Sequence, residues 1–265
     1  MGFLKQALAV LKISAKSSFV YRFDFIVSMF LMPIQLIVYY MLWKAIFNYS
    51  GQEIIRCYTF PLLIGYYVIE MVTSMIIWNR VDTKIEQQVR KGKMSDVILR
   101  PMNPIIRYFL GQNGGKIVAL SLQTIPFLII GFIFFGVKAS AISLFYIPVA
   151  LLALAINFLI CFIVGTSAFW LKKSRGLISI REIITDFISG GTIPLTFLPL
   201  WFQSISWFLP FQYSRFIPIN VFLGFYDSKT ILLLMLVQII WIGILYVIAK
   251  MLWNAGVKKY TGVGQ

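Results

Sequence analysis

Arg80-Val81-Asp82-Thr83-Lys84-Ile85-Glu86-Gln87-Gln88-Val89-Arg90-Lys91-Gly92-Lys93-Met94-Ser95-Asp96-Val97-Ile98-Leu99-Arg100-Pro101-Met102-Asn103-Pro104 opens the only long polar passage, 80–116, of an otherwise oily chain. Val81, Ile85 and Val89 recur at i, i+4 and i+8, with Asp82, Glu86 and Arg90 in a parallel charged row. That spacing predicts a short amphipathic helix over 81–91. Gly92 stops it, 95–99 can add one more turn, and Asn103-Pro104 is a helix-start signal, with Asn as cap and Pro at the first helical position. A helix outside the hydrocarbon must bury its apolar stripe against its own chain or against a partner. Periodicity does not choose between these.

Outside this passage the composition sets the class. Of 265 residues, 60% are apolar and only 12% are charged, and the mean hydropathy is +0.86. So little charge cannot keep a globule of this size in solution, so the chain is expected to be an integral membrane protein. The net charge of +15 raises nucleic acid as a partner, but the basic residues sit in the gaps between apolar runs, where membrane topology puts them; no nucleic acid is expected. There is no histidine and only two cysteines, Cys57 and Cys161. That leaves no His-based acid–base chemistry, catalytic triad or usual zinc site. No catalytic residue and no metal ligand is therefore expected in this chain.

Six transmembrane helices are expected, at 25–43, 58–79, 117–135, 144–170, 176–191 and 230–253. The fold class is an all-α, single six-span membrane domain over 1–265. Segment 1–22 reads as an amphipathic helix, with Leu4, Leu8 and Leu11 on one face and Lys5, Lys12 and Lys16 on another. It either lies at the headgroup level or is a solvated leader; no cleavable signal is expected. Pro33 falls inside the first span, whose Tyr39, Tyr40 and Trp43 suggest an interfacial belt; a loop over 44–56 follows. Segment 192–227 is apolar but broken by Pro194, Pro199, Pro210 and Pro218 into pieces too short to cross. Short re-entrant helices dipping in from the outer side are expected there.

Charge supports this topology. With six spans, all of the 24 Lys and Arg residues except Lys44, Arg56, Lys138, Arg215 and Lys229 fall on the side of the termini. By the positive-inside rule both termini are cytoplasmic, in a multi-pass protein of the cell membrane. A single crossing by 192–227 would instead put the basic tail outside.

Few residues suggest chemistry. Gly111-Gln112-Asn113-Gly114-Gly115-Lys116-Ile117 is glycine-rich, but a phosphate loop needs a glycine at Leu110, a Ser or Thr at Ile117 and a preceding strand. If ATP is used, another chain binds it. Glu70 lies well inside the second span, where an unpaired carboxylate costs several kcal/mol. It either lines a transport path or makes a helix–helix hydrogen bond. Glu182 and Asp186 share a face of the fifth helix beside Arg181, as a cavity entrance or as interfacial charges. Asn157 and Cys161 read as packing positions.

The segment from Val89 to Pro104, with its Gly92, Asp96, Leu99, Arg100-Pro101 and Pro104, resembles the corresponding segment of type-2 ATP-binding-cassette exporter permeases (the ABC-2 family). Ser189-Gly190-Gly191-Thr192-Ile193-Pro194-Leu195, with Leu209-Pro210-Phe211 and Ile217-Pro218, is similar to that family's fifth-helix end and outer re-entrant region. The resemblance spans nearly the whole chain. It implies a permease subunit paired with a second permease chain, identical or paralogous, and driven by a pair of separate ATPase subunits that bind ATP and magnesium. It points to a coupling helix, carried by Ile85, Glu86, Val89, Arg90, Gly92 and Met94, and to Glu70, Asp186 and Thr192 on the translocation path. The substrate would be hydrophobic or amphipathic (a drug, antibiotic, lipid or peptide) and would leave the cytoplasm. A secondary transporter or channel using Glu70 as an ion or proton site is the alternative. The two three-span halves show no repeat to favour it.

Overall fold

The structure, a computed structural model, describes residues 22–114, 116, 128, 129, 131, 141–171 and 174–260, with side chains from residue 31 onward. The expected interfacial helix at 1–22, most of the third span at 117–135 and the return at 136–140 lie outside the described residues. Among those described, the chain is helical apart from one two-stranded ribbon. Three runs, Phe60–Arg90, Ala141–Phe169 and Ser228–Lys259, are long and apolar enough to cross a membrane.

Helix α1 (Arg22–Ser50) continues through Pro33 and encloses the expected first span. It runs past Lys44, so the loop foreseen at 44–56 begins only at Gly51, which takes a left-handed φ of 64°. The aromatic side chains expected to form a belt also pack within the chain. Trp43 is buried, its indole N–H donates to the Tyr67 hydroxyl at 3.0 Å, and Tyr39 stacks on Tyr67 with ring centroids 4.0 Å apart. These side chains find partners inside the bundle.

Strands β1 (Ile54–Ile55) and β2 (Tyr58–Thr59) pair antiparallel, Ile54 opposite Thr59 and Ile55 opposite Tyr58. Arg56 and Cys57 form the two-residue turn at φ 48° and 74°. Such a hairpin turn needs two left-handed residues in succession and usually uses Asn-Gly. Arg-Cys gives no such signal, so the ribbon was invisible in the sequence.

Helix α2 (Phe60–Ile77) is the central element: every residue from Leu63 to Thr73 is buried, as expected of a helix apolar on all sides. The expected second span, 58–79, is thus shortened by the ribbon at one end and a polar tie at the other. There the last carbonyls of α2 are satisfied from three directions. Asn157 Nδ2 donates to Ile77 O at 2.8 Å, Asn79 Nδ2 to the same oxygen at 3.2 Å, and Lys116 Nζ to Ile76 O at 3.1 Å. Asn157 is therefore more than a packing residue, while Cys161 is simply buried.

The polar passage folds into α3 (Val81–Arg90), α4 (Ser95–Ile98) and α5 (Pro104–Asn113). The Asn103 side chain caps α5, accepting from Ile105 N at 2.9 Å. Helix α6 (Tyr146–Thr166), flanked by single 3-10 turns at Ala141–Phe145 and Ser167–Phe169, packs against α2, α3 and the last helix. Helix α7 (Arg175–Ile188) is 14 residues long, or about 21 Å. Two short helices follow, α8 (Leu200–Trp207) and α9 (Phe216–Phe222), before α10 (Ser228–Lys259). Pro194 and Pro199 each precede a helical piece and Pro210 follows α8, but Pro218 sits within the first turn of α9, where its missing N–H costs nothing. Helix α9 is buried throughout.

Candidate coupling and path sites

The candidate coupling segment is packed against its own bundle. Val81 and Ile85 are completely buried and Val89 packs on the same core, so the apolar stripe is covered by the chain itself. Gly165 of α6 makes this possible: a Cβ there would stand 2.7 Å from the Asp82 Cα. The expected parallel charged face is different from expectation. Asp82 is fully buried and Glu86 is 3% exposed, and only Arg90, at the end of the row, reaches solvent. Glu86 keeps Arg90 beside it, Nε to Oε1 3.2 Å.

Asp82 is neutralised across 99 residues of sequence. Arg181 Nη2 of α7 donates to its Oδ2 at 2.5 Å, and the Thr83 N–H donates to Oδ1 at 2.7 Å. The same Arg181 nitrogen lies 3.3 Å from Glu182. Arg181 thus joins α7 to the start of α3, with Glu182 beside it on α7, while Asp186 turns to a different cation.

Helix α3 closes in a Schellman motif: Lys93 N donates to Gln88 O at 2.9 Å and Gly92 N to Val89 O at 3.1 Å. Gly92 carries the left-handed φ, 68°, that this cap requires. Met94 is fully buried below it, with its sulfur 3.9 Å from the Tyr108 hydroxyl, which also donates to Gln88. Of the six coupling candidates, Ile85, Glu86 and Met94 therefore seat the segment, Val89 and Gly92 are half-buried, and Arg90 faces outward. Beyond Arg90 the outward surface is Lys91, Lys93, Ser95, Asp96 and Arg100, with Leu99 82% exposed.

The three path candidates converge at the other end of α7. Asp186 pairs with Arg215, Oδ1 to Nη1 2.6 Å, and its backbone oxygen accepts from Gly191 N at 3.0 Å and Thr192 N at 3.3 Å. Gly190 is left-handed at φ 82°, and a Cβ on Gly191 would collide with the Arg215 guanidinium. This turn is tied to α2 through two tyrosines. Tyr66 donates to Gly190 O at 2.7 Å and Tyr67 to Thr192 O at 3.2 Å. One turn further along α2, Glu70 is 7% exposed and accepts from Ser74 Oγ at 2.6 Å. Thr192 itself is exposed.

Tyr66, Tyr67 and Arg215 were not foreseen as members of this cluster. Two adjacent tyrosines in mid-span were the available signal, because a buried phenol hydroxyl seeks a partner. Outside the spans, burial holds the Lys116 amine down at about 8. Burial also lowers Lys84, with the Arg107 cation adding to it, and lowers Arg107, with Arg100 adding.

These features define an α-helical membrane protein whose polar segment outside the apolar runs is mechanically tied to a polar cluster between its helices. A family model described as ABC-2 family transporter protein matches residues 20–264, so the chain belongs to that family and is a membrane permease component of an ABC system. The family implies an ABC ATPase as partner, with the permease itself non-catalytic. No curated protein matches the chain.

Proposed function

We propose that the chain is the permease half of an ATP-driven exporter working by alternating access. Six spans with both termini in the cytoplasm, and re-entrant helices within 192–227, are the arrangement this reading uses. An ATPase pair, carrying ATP and magnesium, pushes on 80–116, with Arg90, Leu99 and the cations between them as the contacted surface and Ile85, Glu86, Val89, Gly92 and Met94 as its seat. A hydrophobic or amphipathic substrate then leaves the cytoplasm past Glu70, Asp186 and Thr192. The second permease chain, identical or paralogous, covers the apolar face that α7 leaves open at Ile180, Ile183, Ile184 and Phe187. Helix α7 is shorter than the roughly 30 Å of hydrocarbon. The non-helical 189–194 backbone completes that crossing, which is tolerated because Tyr66, Tyr67 and Phe216 N satisfy its carbonyls.

The observation that supports this reading most directly is the Asp82–Arg181 pair. It fixes the start of α3 to α7, and five residues beyond Arg181 the same helix carries Asp186, with the Gly190–Thr192 turn directly after its end. A displacement of α3 therefore has a stiff route to the cluster on α2. The test uses the permease co-reconstituted with its ATPase in vesicles. Gly92→Pro, Glu86→Lys and Arg181→Gln should each abolish permease-dependent stimulation of ATP hydrolysis while the permease still assembles in the membrane. Stimulation that survives all three substitutions sinks the proposal.

A further inference from the structure

A cavity of about 360 Å³ opens where α10 leaves its apolar run, lined among others by Val97, Ile98, Arg100, Met102, Trp253 and Lys258. One side comes from the α4–α5 connection and the other from the last turns of α10, joined by the Asn103 Nδ2 donation to the Tyr246 hydroxyl at 2.9 Å. We infer that this cavity binds an anionic phospholipid, its phosphate between Arg100 and Lys258 and its acyl chain against the apolar wall.

Three observations carry this. The lining holds two cations and no carboxylate. Arg100 gives its Nε to the Asp96 backbone oxygen at 3.1 Å, and among the described residues neither Arg100, Arg107 nor Lys258 forms an ion pair. Arg100 also adds to the depression of Arg107, whose Nη1 is buried without a hydrogen-bond partner. Positive charge is thus concentrated beyond what the chain neutralises, and an anion relieves it. Apart from Asn254, the remaining wall is apolar (Val97, Ile98, Met102, Pro104 and Val257) and includes Trp253, which is buried against Phe162, Phe169 and Tyr108. A soluble anion would have no use for such a wall. The position, at the end of a membrane-crossing helix and next to its closing lysines, is where basic pockets meet lipid headgroups. The proposal does not depend on the exporter reading.

Native mass spectrometry of the detergent-purified full chain tests it, with phosphatidylglycerol, phosphatidylcholine and inorganic phosphate as separate probes. One phosphatidylglycerol per chain should bind saturably, ahead of phosphatidylcholine and undisplaced by millimolar phosphate. Arg100→Gln/Lys258→Gln should weaken it roughly 25-fold, about fivefold per charge. Met102→Trp, which fills the cavity without touching a charge, should also weaken it and serves if the charge variant fails to fold. Equal binding of the two lipids, displacement by phosphate alone, or wild-type affinity in a folded variant overturns the proposal. So does loss of ATPase association in the charge variant with lipid binding intact, which would assign the surface to the protein partner.

Discussion

Asp82 is fully buried and pairs with Arg181, so its energetics are those of a buried pair. Removing Arg181 leaves the buried Asp82 carboxylate without its cation, and removing Asp82 leaves Arg181 with the half-exposed Glu182 alone. Asp82→Asn or Arg181→Gln should each cost about 3–5 kcal/mol, and the double substitution much less than their sum, measured by thermal unfolding in detergent. Additive effects would mean that the two residues do not share one interaction. Gly165→Val drives its Cβ and branches toward the Asp82 Cα, and because the obstacle is backbone it should cost about 1–3 kcal/mol. Lys116 carries a pH dependence. Its folded value, about 8, lies below the ordinary 10.5, so between those values the unfolded chain holds more protons and stability rises with pH. Wild type should gain stability relative to Lys116→Met from about pH 8 to 10.5 and not below; a flat difference would place the amine in water.

At the scale of elements, α3 ends because Gly92 adopts a conformation that a side chain resists. Gly92→Ala should cost about 1–2 kcal/mol and loosen the α3–α4 connection, seen as faster amide exchange over 88–97; unchanged exchange would mean that the Schellman closure does not set the register. Local signals of this sort made much of the fold legible. Gly92, the Asn103-Pro104 cap and the prolines at 194 and 199 each declare a boundary through their own backbone chemistry. Glu70 and Ser74 are four apart on α2, a spacing that already hints at their hydrogen bond. What stayed hidden depends on distance along the chain. Nothing near Asp82 announces Arg181, and nothing near Asp186 announces Arg215. The alternation in α3 correctly demanded burial of Val81 and Ile85, but it could not reveal that the acidic row beside them is buried too. That required α6 and α7 to approach from both sides.

Across the whole molecule the two cysteines make a topology gauge. Cys57 is exposed at the tip of the β-ribbon and Cys161 is buried in α6. A membrane-impermeant maleimide should label intact cells through Cys57 alone, and Cys57→Ser should abolish the signal. Labelling that appears only after permeabilisation would reverse the proposed orientation.

The backbone contact at Gly165 also bears on how such permeases can be recombined. A segment that projected freely from the membrane could be exchanged between relatives as a cassette, bringing its specificity for an ATPase with it. Here α3 shares its foundations with α6 and α7. A graft of 80–104 alone from a relative should misassemble, whereas one that also transfers the residues at 165 and 181 should be accepted. Under the coupling proposed above, ATPase specificity would be inherited as a three-helix patch assembled from distant stretches of sequence.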